Sequence, residues 1–237
     1  MFEWLGNLFV TLGDKFYTNF IADNRWLYLV DGLKTTILIL LVAFAIGVVL
    51  GFIIAVIRAT HDLDSRWSFA NAICQFYLTV IRGTPVVVQL MIIYFVIFKT
   101  VSIPKFLVGG IAFGLNSAAY VAEIFRSGIM SIDKGQMEAG RSLGFNYRQT
   151  VMKIIMPQAF KNVLPALGNE VITLFKETSV AGYIGMQDLT KGGDIIRSRT
   201  YDAFMPLIAV ALIYLAIVII LTKLLGILER RLRRSDH

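Results

Sequence analysis

The chain has 237 residues, of which 57% are apolar and 16% charged. Soluble domains run near 45–50% apolar and about 25% charged, so this composition excludes a soluble enzyme, a disordered tail and a coiled coil, and points to a membrane protein. The formal charge of +7 fits a cytoplasmic excess of Lys and Arg better than nucleic-acid binding. Cys74 is the single cysteine, and His61 and His237 stand far apart. No intrachain disulfide, metal or haem is expected.

Residues 1–33 mix aromatics (Phe2, Trp4, Phe9, Phe16, Tyr17, Phe20, Trp26, Tyr28) with acids and amides. This suits an interfacial segment at headgroup level. A partly ordered leader is the alternative. A cleavable signal is not expected, because Glu3 stands where a basic region belongs and no apolar run follows.

The body of the chain, 34–228, then reads as five spans. Residues 35–57 carry no charge, and ~23 residues at ~1.5 Å each cover the hydrocarbon core. The run 69–98 is broken at Arg82-Gly83-Thr84-Pro85, where Pro85 removes a donor and disfavours helix at Thr84. This predicts an inner helix, a break, and a crossing from about Val86. Residues 106–132 form the third span, with Glu123 and Arg126 late in it. Residues 163–184 form the fourth and contain Glu170, Lys176 and Glu177; residues 203–222 form the fifth. A basic cytoplasmic tail, 229–237, follows. With the C-terminus inside, the inner segments 58–68, 126–161 and 223–237 hold 13 Lys and Arg against 8 in the outer ones. The positive-inside rule then gives N-out, C-in. The fold class expected is all-α: a polytopic helix bundle.

Between the third and fourth spans lies a polar stretch, 133–157. Helix over 136–143 stops at Gly144, a C-cap residue type, and a second amphipathic stretch, 147–155, ends before Pro157. Glu138-Ala139-Gly140, then Gly144, Ile154 and Met156-Pro157 resemble the EAA motif of importer-type ABC transporter permeases, EAA-x3-G-x9-I-x-LP. Gly140 and Met156 depart from it. The stretches IRGTPVVVQL (81–90), NSAAYVAEIFRSGI (116–129), MPQAFKNVLPALGNE (156–170) and the ERRLRR tail are similar to the polar and basic amino-acid permease subfamily.

The resemblance implies several things. The chain would be the transmembrane subunit of an ATP-driven amino-acid importer in the bacterial cytoplasmic membrane. Glu138, Ala139, Gly140, Arg141 and Gly144 would couple it to an ABC ATP-binding subunit pair. Its partners would be a second permease copy or paralogue and an extracytoplasmic amino-acid-binding protein. The chain itself is expected to be no enzyme. No GxxxxGK[ST] P-loop occurs in the sequence, so ATP and Mg belong to the ATPase partner and no cofactor is expected on this chain. The alternative is a secondary transporter or channel driven by an ion gradient, which often shows inverted repeats; none is evident.

Ionisable residues inside a span cost ~2.5–3.5 kcal/mol each on insertion scales, so they mark function or pairing. Asn116, Tyr120 and Glu123 share one face of the third span, and Glu170, Thr173 and Glu177 one face of the fourth. Asn116, Ser117, Tyr120, Glu170 and Thr173 are the expected substrate-binding residues, near the midplane. Structural pairing is the alternative: Arg126 with Glu123, and Lys176 with a carboxylate. Glu170 has no basic residue within four positions, which favours a cationic cargo such as arginine, lysine or histidine, with glutamine next. Arg82 is read as capping the broken second span or holding a lipid phosphate.

Overall fold

The computed structural model describes residues 11–65 and 67–234. The predicted interfacial segment 1–33 is therefore described only from residue 11, and the last three residues of the tail lie outside the described part. Every regular element among the described residues is helical.

The first long helix, α1 (Trp26–Asp64), is 39 residues long. It exceeds the predicted span 35–57 at both ends, because the flanking polar residues continue the same helix. Ser65, at φ 53°, ends it. The broken span appears as α2 (Ser68–Gly83) and α3 (Val86–Ile92), bent by 109°. Thr84 is extended and Pro85 heads α3, as the proline chemistry requires. Helix α4 (Lys105–Met130) follows. On the other side of the bundle come α5 (Lys134–Ser142) and α6 (Tyr147–Thr150). A π-turn over Val151–Ile155 leads α6 straight into α7 (Met156–Glu177), so Pro157 lies at a helix start instead of after a helix end.

The predicted fourth span, 163–184, is corrected by seven residues. Its helix ends at Glu177, and Thr178–Ile184 forms a 3-10 turn closed by Gly185 at φ 67°. Helix α8 (Leu189–Thr200) is short and polar, and α9 (Phe204–Arg234) runs past the predicted end at 222 into the basic tail.

Among the described residues, α1, α4 and α9 are each long and apolar enough to cross a membrane, and the bent α2–α3 pair makes a fourth candidate. Helix α7, with 22 residues, spans ~33 Å but carries Lys161, Glu170, Lys176 and Glu177. Of these, Glu170 is buried against α4, whereas Lys176 is exposed.

Helices α1 and α4 lie parallel. Gly47 meets Ser117 and Gly51 meets Val121, while Gly110 meets Val42 and Gly114 meets Ile46. The approach is close enough that a Cβ on Gly51 would stand 2.7 Å from Val121 Cγ1, and one on Gly110 2.5 Å from Val42 Cγ1. Small residues at these positions let the two backbones touch, which is how helices associate where no water drives them together. Two parallel helices joined in sequence need a return between them, and α2–α3 supplies it. Helix α7 is antiparallel to α4, with Asn162 Nδ2 donating to Ser131 Oγ at one end (3.0 Å) and Ser117 beside Glu170 further along. Helix α9 is antiparallel to α7, with the Phe175 and Tyr214 rings 5.2 Å apart and Gly168 against Leu225. Helices α1, α4, α7 and α9 thus run alongside one another, with the bent α2–α3 pair between the first two in sequence. Helix α4 is its centre, with 67% of its apolar stretch buried against 22% for α1 and 11% for α9.

Candidate functional site: a buried polar cluster and a projecting helical turn

Four polar side chains meet inside the bundle where α4 faces the α2–α3 break and α7. Ser117 Oγ donates to Glu170 Oε1 at 2.7 Å, and Glu170 is only 8% exposed. Next to it on α4, Asn116 Nδ2 donates to Gln89 Oε1 at 3.0 Å. The Gln89 amide in turn donates to Ile81 O (2.7 Å), Thr84 O (3.0 Å) and Thr84 Oγ1 (2.8 Å). These carbonyls lost their helical partners at Pro85, and in the membrane interior they need a donor from the protein itself. Tyr77 on α2 adds a hydroxyl donated to Leu115 O.

The expected substrate residues therefore divide. Ser117 and Glu170 are buried and bonded to each other, and Asn116, beside Ser117 in the chain, is buried and bonded to Gln89. Tyr120 and Thr173 are exposed on the protein surface. Among the described residues, Glu170 has no ion-pair partner; Lys176, the nearest cation in sequence on α7, is exposed. The other carboxylate of the predicted α4 face, Glu123, is ion-paired twice. Arg58 Nη1 donates to its Oε2 at 2.7 Å, and Arg126 Nε to its Oε1 at 3.1 Å. Arg126 also reaches Asp62 at 3.4 Å. Glu123 is thus a tie between α1 and α4.

Sequence reasoning missed Gln89 and Arg58. Gln89 carried a legible signal: a lone amide in the apolar run that follows a proline break. Arg58 lies just beyond the uncharged run 35–57, where it reads as a boundary residue, and only the packing of α1 against α4 brings it to Glu123.

The second feature projects from the opposite end of the bundle to the α7–α8 turn. Asp133 caps α5 by accepting from Gly135 N. Gly144 takes φ +83° after α5, a conformation that costs a residue with a Cβ. Asn146 and Gln149 then form a reciprocal capping box that starts α6. Gly140 packs on Thr150 and Ile154, which fixes α5 against the following turn. Glu138, Ala139 and Arg141 are exposed. A cavity of about 540 Å³ lies between this projection and the ends of α1 and α4, lined among others by Met137, Glu138, Arg141 and Tyr147.

At the far end, α8 carries its own electrostatics. Hydrogen bonds from Lys191 and Arg197 hold the Asp194 carboxyl below the usual carboxylate range. Asp188, fully buried as the cap of α8, is pushed up by burial, although Thr190 and Lys191 amides donate to it.

Comparison with known proteins agrees with this architecture. Residues 47–234 match the family described as "Binding-protein-dependent transport system inner membrane component". The chain is 40% identical over 211 residues to the arginine transport system permease protein ArtQ of Bacillus subtilis (strain 168), covering 88% of this chain and 94% of that one. It is 36% identical to the putative glutamine transport system permease protein GlnP of Rickettsia typhi, covering 87% and 93%. Among solved structures, "Crystal structure of an amino acid ABC transporter with histidines" superposes with a TM-score of 0.80 at 41% identity, covering 90% of this chain and 98% of that one. A multi-pass helical bundle, a capped projection between two of its long helices and a match along most of its length lead to one conclusion: the chain belongs to the binding-protein-dependent transport system inner membrane component family.

Proposed function

We infer that the chain forms part of the membrane passage of an amino-acid importer whose preferred cargo is a basic amino acid, with glutamine and other polar amino acids next. The observation that carries this is Glu170: a carboxylate 8% exposed, bonded to Ser117 and to no cation among the described residues. A buried carboxylate of this kind must be balanced by water, a proton or an incoming positive charge. Arginine, lysine or protonated histidine supplies that charge, and glutamine supplies an amide donor. The relatives named for arginine and glutamine transport, and the solved amino-acid transporter with histidines, support the same cargo class. Asn116, Ser117 and Glu170 would form its inner contacts, with Tyr120 and Thr173 on the approach.

In this reading the chain crosses the membrane five times, N-out and C-in, in the bacterial cytoplasmic membrane. ATP, bound with Mg, is hydrolysed by a separate pair of ABC subunits, which grip α5 through Glu138, Ala139, Arg141 and the turn at Gly144. A second permease copy or paralogue completes the passage, and an extracytoplasmic binding protein delivers the cargo.

The test is competitive uptake into vesicles holding the assembled transporter, with the binding protein saturating. Glu170→Gln keeps the shape and removes the charge. It should lower arginine or lysine uptake by roughly 10–150-fold, the worth of a charged hydrogen bond, and glutamine uptake far less. Equal loss for both cargoes would make Glu170 structural and defeat the charge preference.

A further inference from the structure

Every amino acid that crosses the membrane brings an α-carboxylate whatever its side chain, and Glu170 can only repel it. A cation within reach of the same cargo would offset that repulsion. Glu177, which interacts with Glu170 along α7, is a second carboxylate, and Arg58, Asp62, Glu123 and Arg126 bond to one another. Arg82 stands apart from them. It ends α2 at the break, its side chain is exposed, and it makes no ion pair among the described residues. Its guanidinium lies 5.7 Å from the centroid of the Tyr120 ring.

Arg82 also lines a cavity of about 360 Å³ with Arg58, Gln75, Leu78, Thr79 and Glu123, within the roughly 300–1,000 Å³ range of small-molecule sites. Tyr120 is one turn of α4 from Ser117, about 4.5 Å along the axis, and Ser117 is the residue that touches Glu170. An unpaired cation and an unpaired carboxylate thus flank one short stretch of α4. A basic amino acid presents a carboxylate at one end and a cationic group at the other, and each would find an opposite charge beside this stretch of α4. A guanidinium suits the first role, because its planar fork matches a carboxylate with two parallel N–H bonds. The capping role read from the sequence does not fit: no hydrogen bond joins Arg82 to a carbonyl of the break, and Gln89 satisfies Ile81 O and Thr84 O instead.

We propose that Arg82 receives the α-carboxylate of the amino-acid cargo, in the cavity it shares with Gln75 and Thr79. The inference rests on the amino-acid cargo reading and extends it from the side chain to the group common to all amino acids.

The experiment uses the assembled transporter in lipid nanodiscs without binding protein. Binding of L-arginine and of its decarboxylated analogue agmatine is measured by calorimetry or ligand-observed NMR. The wild type should prefer arginine. Arg82→Gln should weaken arginine by about 10–150-fold and leave agmatine unchanged, and Arg82→Lys should restore part of the loss. Equal weakening of both ligands, or none, overturns the proposal. So does a loss that follows the anionic-lipid content of the nanodisc, which would assign Arg82 to a lipid phosphate. Glutamine and Glu170→Gln separate this inference from the cargo preference. Arg82→Gln must weaken glutamine and arginine alike, whereas Glu170→Gln should act on arginine alone. Failure of only the second pattern refutes the charge preference, failure of only the first refutes the role of Arg82, and a wild type that binds no amino acid refutes both.

Discussion

Asn116 and Gln89, 27 positions apart in sequence, bond side chain to side chain in the buried centre of the protein, and the same Gln89 closes the open backbone of the α2–α3 break. One amide therefore links a residue of the proposed cargo site to the chain's sharpest bend. If the two act as one unit, their removal is not additive. Gln89→Leu should lower thermal stability by about 1–3 kcal/mol, the cost of leaving buried carbonyls unsatisfied. Asn116→Leu made in the Gln89→Leu background should cost less than in the wild type, with a coupling of about 0.5–3 kcal/mol. The cycle is measured by thermal unfolding of the assembled transporter, and strictly additive values would show that the bond carries no energy.

Gly144 at φ +83° allows α5 to turn back into α6. Gly144→Val should strain this turn by about 1–2 kcal/mol, because a left-handed backbone clashes with Cβ. The outcome expected is a chain that still inserts in the membrane but couples poorly: ATP hydrolysis by the assembled transporter no longer rises with cargo and binding protein. Normal cargo-stimulated hydrolysis and uptake by Gly144→Val would remove the turn from the coupling route.

Orientation is read by cysteine labelling in intact cells, in a background where buried Cys74 is replaced by serine. Asp188 is fully buried and serves poorly as a labelling site, whereas Ser198 on α8 and Gln149 on α6 are exposed. Ser198→Cys should react with an impermeant maleimide from outside and Gln149→Cys only after lysis. The reverse pattern would invert the orientation and place α5 beyond the reach of a cytoplasmic ATPase.

Asp188 gives a pH prediction. Burial raises its folded pKa above the unfolded value, so its stabilising contribution is full below the unfolded pKa and is lost as pH rises through the folded one. Asp188→Asn keeps a capping side chain and removes the titration. Its stability relative to wild type should improve as pH rises from 4 to 8 in thermal melts. A difference that stays flat over this range would mean that the carboxylate is no harder to ionise in the fold than in the unfolded chain.

Much of this was legible in the sequence because the signals were local. Pro85 dictates the break, and an uncharged run dictates α1. The Gly144 turn was legible for the same reason, since glycine's backbone freedom needs no partner. What was not legible depends on which helix faces which. Glu123 and Glu170 are each a carboxylate on the polar face of a helix, and the sequence offers Glu123 only Arg126 and Glu170 no close cation. Only the parallel packing of α1 on α4 gives Arg58 to Glu123 and leaves Glu170 with a hydroxyl. The ends of α7 were misplaced for a similar reason. Hydropathy starts its span at Val163, whereas packing against α4 and the π-turn begins the helix at Met156.

The close contact between α1 and α4 also bears on the order of membrane insertion during synthesis. Helix α1 emerges first and shows most of its apolar stretch to lipid even in the finished fold. It can wait in the bilayer as a single anchored strand of chain. Helix α4 is different: its Asn116, Ser117 and Glu123 are tolerable at that depth only with partners, so it gains a stable place by sliding its glycines along the helix already there. Helix α7 brings Glu170, whose carboxylate must find Ser117 in place. The ribosome therefore delivers the parts in the sequence in which each can be sheltered by its predecessor: an anchor, then the helix that docks on it, then the carboxylate that the docked helix receives.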